Sequence, residues 1–392
     1  MQAVSLRRVV NRLPIAPNKR SSVPLTRLVH TCADIDSLQS SQHNEELEPA
    51  ISKSEQTCAQ ASIKDIARLA NVSHSTVSRA LQNSPSVSRA TADRIQRIAR
   101  ESGYRASAVA RGLVTRKTRT IGVVVTTIAD PFASAVMCGV EQAASDHGYS
   151  VFLANSHADP EREQNVVHSF AERRVDGIVV TSSRVGALYT PLLSEMKVPV
   201  VLINNQHPGQ FIHSVMIENL EASREATNHL ISLGHHRIAY LGDRCGYQSD
   251  SERFAGYREA LDRAGLPFLP ELVVHGDGKP EGASEAVERL LAQEAPPTAI
   301  FCYNDMSALG ALRTLRARGL RVPDDVSLVG FDDLFLAAYT DPSLTTVRQP
   351  METMGRLAIE TLLNLMSGQA SADSIKVPAE LIIRESTAEV RK

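Results

Sequence analysis

An N-terminal all-α helix-turn-helix headpiece followed by an α/β core of two doubly wound lobes is the fold class this 392-residue chain predicts. Three observations carry it. Two short amphipathic helices meet at a tight break within residues 62–81, strand–helix alternation begins at Ile121, and that alternation restarts at Arg237. Charge follows the same division. The formal net charge is −2, yet residues 61–120 hold 12 Lys and Arg against three acids, while residues 121–392 hold 23 against 35. A compact basic module on an acidic body directs one end of the chain toward phosphate backbones.

The headpiece reads from Ser62, which can cap a first helix with Asp65 three residues on to answer it. Ile63, Ile66, Ala67 and Ala70 repeat at helical spacing and give that helix one apolar face. Asn71-Val72-Ser73 is too short for a strand and supplies a turn residue, a buried valine and a new N-cap. The second helix buries Val77 and Leu81, leaving His74, Ser75, Ser78 and Arg79 outward near its start. A helix whose first turns are polar and cationic suits the major groove.

In the core, Ile121–Val125, Val151–Ala154, Gly177–Val180 and Pro199–Ile203 are short, continuous apolar runs. Helical stretches such as Ala133–His147 and Arg162–Arg173 separate them, as expected for parallel strands covered on both faces. The pattern resumes at Arg237–Gly242, Thr298–Cys302 and Val326–Phe331. Two such units make two lobes, and ligands sit beyond strand C-termini. The strand ends therefore supply the candidate pocket. Asp130-Pro131-Phe132 follows the first strand, with Phe132 offering an aromatic face or a core side chain. Asn204 follows the fourth, and Asn304-Asp305 and Asp332-Asp333 follow two strands of the second lobe.

Composition narrows the alternatives. Cys32, Cys58, Cys138, Cys245 and Cys302 are scattered, odd in number and without CxxC spacing, which favours reduced thiols in a cytoplasmic protein. No apolar run approaches the roughly 18 residues needed to span a bilayer. Residues 1–60 combine an acid-free basic start with a polar, aromatic-poor remainder, and read as a disordered extension. Gly276-Asp277-Gly278-Lys279-Pro280-Glu281-Gly282 is not a dinucleotide fingerprint, because its last glycine comes one residue late and Pro280 interrupts. His235-His236 lacks a third ligand in sequence reach, so a structural role is expected and neither metal nor cofactor is implied. Nothing argues for catalysis. A solute-binding protein would need an export signal, and a Rossmann-type enzyme a cofactor motif.

The string Ser62–Arg79, with Asn83–Ser88, a third helix to Ser102, Gly103-Tyr104, Ser107–Leu113 and Thr120–Val123, resembles the lactose-repressor (LacI) family of bacterial transcription regulators. The resemblance runs from Ala61 to the C-terminus. It implies a headpiece over 61–106, a hinge helix and linker over 107–119, and a periplasmic-binding-protein-like effector and dimerisation core over 120–392. It places His74, Ser75 and Arg79 at base-reading positions, where Arg79 can fork onto guanine O6 and N7. Lys64, Ser73, Ser88 and Arg89 then hold phosphates and register. In the family the hinge folds on the operator, pairs through the position of Val109, and inserts a leucine, here Leu113, into the minor groove.

In the core the resemblance makes Arg253 the effector's grip, with Asn304 and Asp332 as hydrogen-bonding partners and Gln349, beside Arg348, at the final crossover between lobes. A guanidinium with carboxylate and amide partners suits the vicinal hydroxyls of a sugar or nucleoside. For Asp305, Asp333 and Arg348, capping or structural ion pairing is the competing role. A chain ending soon after the strand-like run Val377–Ile383 leaves no room for a heptad tail, which favours a homodimer on double-stranded, two-fold operator DNA.

One residue departs from a good hinge helix. Gly112 precedes Leu113 and disfavours helix by about 1 kcal/mol relative to alanine. With two hinges per dimer, Gly112→Ala is expected to tighten operator binding by up to about 30-fold, with added helicity in circular dichroism of the complex. Weaker binding with an unchanged fold would instead mean that the backbone approaches DNA or its twin too closely for a methyl group.

Overall fold

A computed structural model of the chain describes residues 61–104, 117–183, 198–206, 213–369 and 374–391. The expected extension over 1–60 and most of the hinge, including Val109, Gly112 and Leu113, lie outside the described residues.

Three helices build the headpiece: α1 (Ile63–Ala70), α2 (His74–Leu81) and α3 (Arg89–Glu101). Serines start all three. Ser62 and Asp65 form the anticipated capping box, with the Ser62 amide donating to Asp65 Oδ2 at 3.0 Å and the Asp65 amide to Ser62 Oγ at 3.3 Å. Ser73 caps α2 and Ser88 caps α3 through the amides of Thr76 and Thr91. Asn71 ends α1 at φ 51°, a left-handed turn that asparagine tolerates. Ile66, Ala67, Ala70, Val77, Ala80, Ile95 and Ala99 close a small core between the helices. Leu81 and Ser78 depart from expectation, both being half-buried: Leu81 packs at the edge of this core rather than inside it.

The core opens with β1 (Thr120–Val125), α4 (Pro131–Asp146), β2 (Ser150–Asn155), α5 (Pro160–Glu172), β3 (Gly177–Thr181), β4 (Val200–Ile203) and β5 (Ser214–Ile217). It continues through α6 (Asn219–Ser232), β6 (Ile238–Asp243), α7 (Gln248–Arg263), β7 (Val273–Gly276), α8 (Pro280–Leu291), β8 (Ala299–Cys302), α9 (Asp305–Ala317), β9 (Ser327–Asp332) and β10 (Thr345–Arg348). It ends with α10 (Met351–Met366), β11 (Ile375–Val377) and β12 (Glu380–Ile382).

Two six-stranded sheets result, ordered β2-β1-β3-β4-β5-β11 and β7-β6-β8-β9-β10-β12. Their first five strands are parallel and follow the same order, so the second lobe repeats the first. The sixth strand breaks the repeat: β11 runs parallel to β5, whereas β12 runs antiparallel to β10. Three strands, β5, β7 and β10, lack a long apolar run and escape the sequence pattern. Strand β2 also departs from two-sided cover, because Phe152 and Leu153 on this sheet edge are 46 % and 42 % exposed.

The chain passes between lobes three times. It leaves the first lobe after β5, since α6 packs on α7, β8 and β10 of the second. It returns at Gln349-Pro350, since α10 packs on α4, β3, β4 and β5. It crosses once more between β11 and β12. Arg348-Gln349 is therefore the second crossover rather than the final one; the expected single run Val377–Ile383 takes in only the last residue of β11 and all of β12, which lie in different sheets.

Asp333 locks that region, accepting from Arg348 Nε at 2.7 Å and Arg384 Nη2 at 2.6 Å, which joins the end of β9 to β10 and the segment after β12. Arg348 and Asp333 are thus structural. His235 fills its expected structural role too, with one ring nitrogen 3.0 Å from Thr298 Oγ1 and the other 3.0 Å from Ser327 Oγ and the Ala388 carbonyl. It fastens the C-terminal segment beneath the second sheet.

Close helix packing in the first lobe depends on Gly139 of α4 and Gly355 of α10. A Cβ on Gly355 would stand 2.3 Å from the Val136 carbonyl oxygen, and one on Gly139 2.0 Å from that of Glu352. Backbone cannot yield as a flexible side chain does. Gly355→Ala is therefore expected to lower stability by about 1–3 kcal/mol, read as a reduced urea midpoint at unchanged m-value.

Candidate functional site

Two surfaces gather the candidate residues. On the headpiece, Lys64, Ser73, His74, Ser75, Arg79, Ser88 and Arg89 are all exposed. The side chains of Arg79 and His74 make no hydrogen bond or ion pair within the described residues, so their donors remain available to a ligand. The serines differ. Ser73 Oγ lies 2.8 Å from both Ser75 Oγ and Thr76 Oγ1, and Ser88 Oγ lies 2.8 Å from Thr91 Oγ1. Their hydroxyls serve the helix starts, where free backbone amides and the helix dipole favour phosphate.

The second surface is the cleft at the strand C-termini, where both sheets end facing the crossovers. Arg253, on α7, is 3 % exposed. Its Nε donates to Asn219 Oδ1 at 3.0 Å and its Nη1 to the Tyr303 carbonyl at 2.5 Å. The guanidinium carbon lies 3.6 Å from the centre of the Phe331 ring and 4.7 Å from that of Tyr303. No carboxylate of the described residues pairs with it within 4.0 Å. A buried cation held by neutral acceptors and ring faces is costly without an incoming partner.

Asp332 ends β9 at φ 126°, a conformation that L-residues rarely adopt. Its Oδ1 accepts from Gln349 Nε2 at 2.5 Å, and its carbonyl from the Gln349 amide at 3.1 Å. Burial pushes the Asp332 carboxyl well above the usual range; Arg253 pulls it down, and Asp305 and Asp130 push it further up. Gln349 is 2 % exposed and its Oε1 has no donor. Asp130 caps α4, accepting from the Phe132 amide at 3.0 Å, and burial raises its carboxyl as well. Its influence on Asp332 sets a first-lobe acid against a second-lobe acid.

The remaining candidates spread out. Phe132 is 9 % exposed and packs in the first lobe's core, as one of its two expected roles required. Asn204, at φ 50°, is half-buried at the end of β4. Asn304 is largely occupied: Oδ1 caps α9 through the Ser307 amide at 2.8 Å, and Nδ2 donates to the Gly278 carbonyl at 3.0 Å. Asp305 is structural, accepting from Thr346 Oγ1 at 2.6 Å and the Leu334 amide at 2.8 Å.

Sequence reasoning missed Asn219, Tyr303 and Gln206. Asn219 follows the unrecognised strand β5, and Tyr303 directly follows β8, so strand ends were the usable signal. Gln206, after β4, accepts from the Gln248 amide at 2.6 Å and joins the two lobes. A separate cavity of about 240 Å³ lies at the opposite strand ends, lined by His235, Thr298 and Asp325 among others. The converging buried polar groups lie in the cleft.

Residues 62–107 match the family described as bacterial regulatory proteins, lacI family, and residues 227–387 match a periplasmic binding protein-like domain. The HTH-type transcriptional repressor CytR of Escherichia coli (strain K12) is 38 % identical over 330 residues, covering 83 % of this chain and 96 % of that protein. The chain belongs to the lacI family. It is a helix-turn-helix transcription regulator with a two-lobed core. Another relative in this lacI family, the repressor PurR of Aliivibrio fischeri (strain ATCC 700601 / ES114), is 39 % identical over 306 residues, 77 % of this chain and 91 % of that one. The structure of the Lac repressor dimer bound to operator and the anti-inducer ONPF superposes with TM-score 0.77 at 27 % identity, covering 84 % and 99 % of the two chains. A complex of the regulator CelR with cellobiose gives 0.64 at 33 %, covering 83 % and 99 %. These repressors are regulators rather than enzymes.

Asp305 yields a pH test. Burial raises its carboxyl from 3.8 to about 7. Between those values the folded chain binds more protons than the unfolded one, so stability falls as pH rises through the window. The wild-type urea midpoint is expected to fall between pH 4 and pH 7, and Asp305→Asn to flatten that slope; Asp332 contributes in the same direction.

Proposed function

We propose that the chain is a cytoplasmic repressor without catalytic activity, which binds a pseudo-palindromic operator as a homodimer and answers to a small, sugar-like ligand held between its lobes. In this reading the chain divides into an extension over 1–60, a headpiece over 61–106, a hinge and linker over 107–119, and a core over 120–392. His74, Ser75 and Arg79 read bases. Lys64, Arg89 and the helix starts at Ser73 and Ser88 hold phosphates, and Val109 and Leu113 act at the paired hinges. Arg253, Asp332 and Gln349 grip the ligand, with Asn204 and Asn304 at the rim and Phe132 backing the wall.

One observation carries the ligand reading: Arg253 is buried with no described carboxylate within 4.0 Å, and Gln349 Oε1, on the side chain that donates to Asp332, is buried without a donor. Hydrogen-bonding a ligand there offsets the penalty of burying that acceptor without a donor. The cellobiose of the related CelR complex supports the class.

Operator DNA selected from a random pool provides the test. Arg79→Ala is expected to cost about 1–3 kcal/mol on selected DNA and far less on mixed DNA. Equal losses on both would reduce Arg79 to a phosphate contact. Arg253→Ala and Asp332→Ala are expected to bind the operator yet ignore ligand, each losing about 2–5 kcal/mol of ligand affinity. A normal ligand response in both would move the pocket elsewhere.

A further inference from the structure

The linker between headpiece and core ends at Thr118 and Arg119, which belong to the described structure. More than strand pairing holds them there. Asp176, the residue before β3, turns a half-buried carboxylate onto both. Its Oδ1 accepts from the Thr118 amide at 2.8 Å, and its Oδ2 accepts from the Arg119 amide at 3.0 Å. The Thr118 hydroxyl lies between Asp176 Oδ1 at 2.9 Å and the Arg174 carbonyl at 2.8 Å. The Asp176 amide in turn donates to the Thr120 carbonyl at 2.8 Å. One carboxylate thus fixes two consecutive amides at the linker's end.

A second grip closes on Arg119 from the turn between α4 and β2. Its carbonyl accepts from the Ser150 amide at 2.9 Å, and its Nη1 donates to the His147 carbonyl at 3.3 Å. Its guanidinium carbon lies 5.1 Å from the centre of the Tyr149 ring. Arg119 stands at φ 54°, a left-handed conformation uncommon for any residue but glycine and held only where the surroundings enforce it. The chain therefore makes a fixed bend immediately before β1. The described groups that grip Thr118 and Arg119 all come from the first lobe, at the strand ends opposite the cleft. Hydrogen bonds to an ionised acceptor are the strong ones, so these two residues lose their backbone freedom when the core folds, before DNA is met. Two tethers that start in fixed directions hold two headpieces over their half-sites at a higher effective concentration than loose tethers do.

We propose that Asp176 is a positioning residue for operator binding: its carboxylate sets the direction in which the linker leaves the first lobe, and so couples the two headpieces of a dimer onto two half-sites. It acts through the linker rather than on the DNA. This rests on the homodimer and two-fold operator proposed above, and adds the side chain that joins the lobe to the tether.

The test uses the full-length protein and the selected operator, intact and cut to one half-site, with binding read by fluorescence anisotropy at low salt. The quantity measured is the ratio of intact-site to half-site affinity. A loss of folded protein lowers both affinities alike and leaves that ratio where it was. Asp176→Ala removes the acceptors of both linker amides and is expected to cut the ratio by at least about tenfold, with half-site affinity within about twofold of wild type. Asp176→Asn keeps one oxygen for Thr118 but turns an amide against the Arg119 amide, and Thr118→Val removes the hydroxyl alone. Both are expected to cut the ratio by less. An unchanged ratio in Asp176→Ala would reduce Asp176 to a fold-stabilising side chain and overturn the proposal. If the aspartate variants do not fold, an unchanged ratio in Thr118→Val overturns it equally. A wild-type ratio near one would instead overturn the two-half-site reading, and this proposal with it.

Discussion

A guanidinium lying on an aromatic ring organises the ligand end of this molecule. Arg253 comes from α7, its Phe331 platform from β9, and its two acceptors from the β5–α6 crossover and the end of β8. Four segments distant in sequence must be in register before that side chain can be buried at 3 % exposure. The ring face and two neutral acceptors replace part of its lost hydration, yet no carboxylate of the described residues pairs with it within 4.0 Å. The protein's own groups therefore satisfy that charge only in part. The strained Asp332 and the unpaired Gln349 Oε1 sit in the same neighbourhood. Concentrated strain and unmet hydrogen bonding belong to a site that recognises something.

The same neighbourhood joins the lobes. Gln349 is the last residue before the chain returns to the first lobe, and Asp333, next to Asp332, is clamped by Arg348 and Arg384. A change at Asp332 thus lies one residue from the ion cluster tying β9 to β10 and the C-terminal segment. Gln206 and Gln248 add a direct interlobe hydrogen bond. The lobes themselves are stiff: Gly139 and Gly355 bring α4 and α10 into backbone contact, and Gly256 lets α7 approach α6 at the Leu220 carbonyl. Rigid lobes on a few crossovers favour hinge motion over internal rearrangement.

The headpiece was almost wholly legible in the amino-acid sequence because its determinants are local. Ser62 with Asp65, Asn71 before Val72, and the i, i+3, i+4 spacing of Ile63, Ile66, Ala67 and Ala70 each act within one or two helical turns. The lobes were legible where strands are buried on both faces and read as apolar runs, as β1, β3 and β4 do. They were obscured where a strand is short or polar. Thr345-Thr346-Val347-Arg348 looks like loop, yet both threonines are buried: Thr346 Oγ1 donates to Asp305 Oδ1 at the start of α9, and Thr345 Oγ1 lies 3.1 Å from Thr387 Oγ1 of the C-terminal segment.

What the sequence determined by itself is the helix order of the basic headpiece, the two-lobed plan and the ends of the apolar strands as pocket candidates. Each of these follows from hydrophobic period, capping chemistry and net charge, which act over short spans. Tertiary structure alone decided how those candidates are used. It turned Asn304 into a helix cap, placed Phe132 in the core, made Asp305 a strand-end clamp, and left Gln349 Oε1 without a donor. It also split the final strand between two sheets and recruited Asn219 and Tyr303 to hold Arg253. Hydrogen-bond partners separated by tens to hundreds of residues meet only once the crossovers are fixed, and which of them remain unsatisfied depends on that whole arrangement.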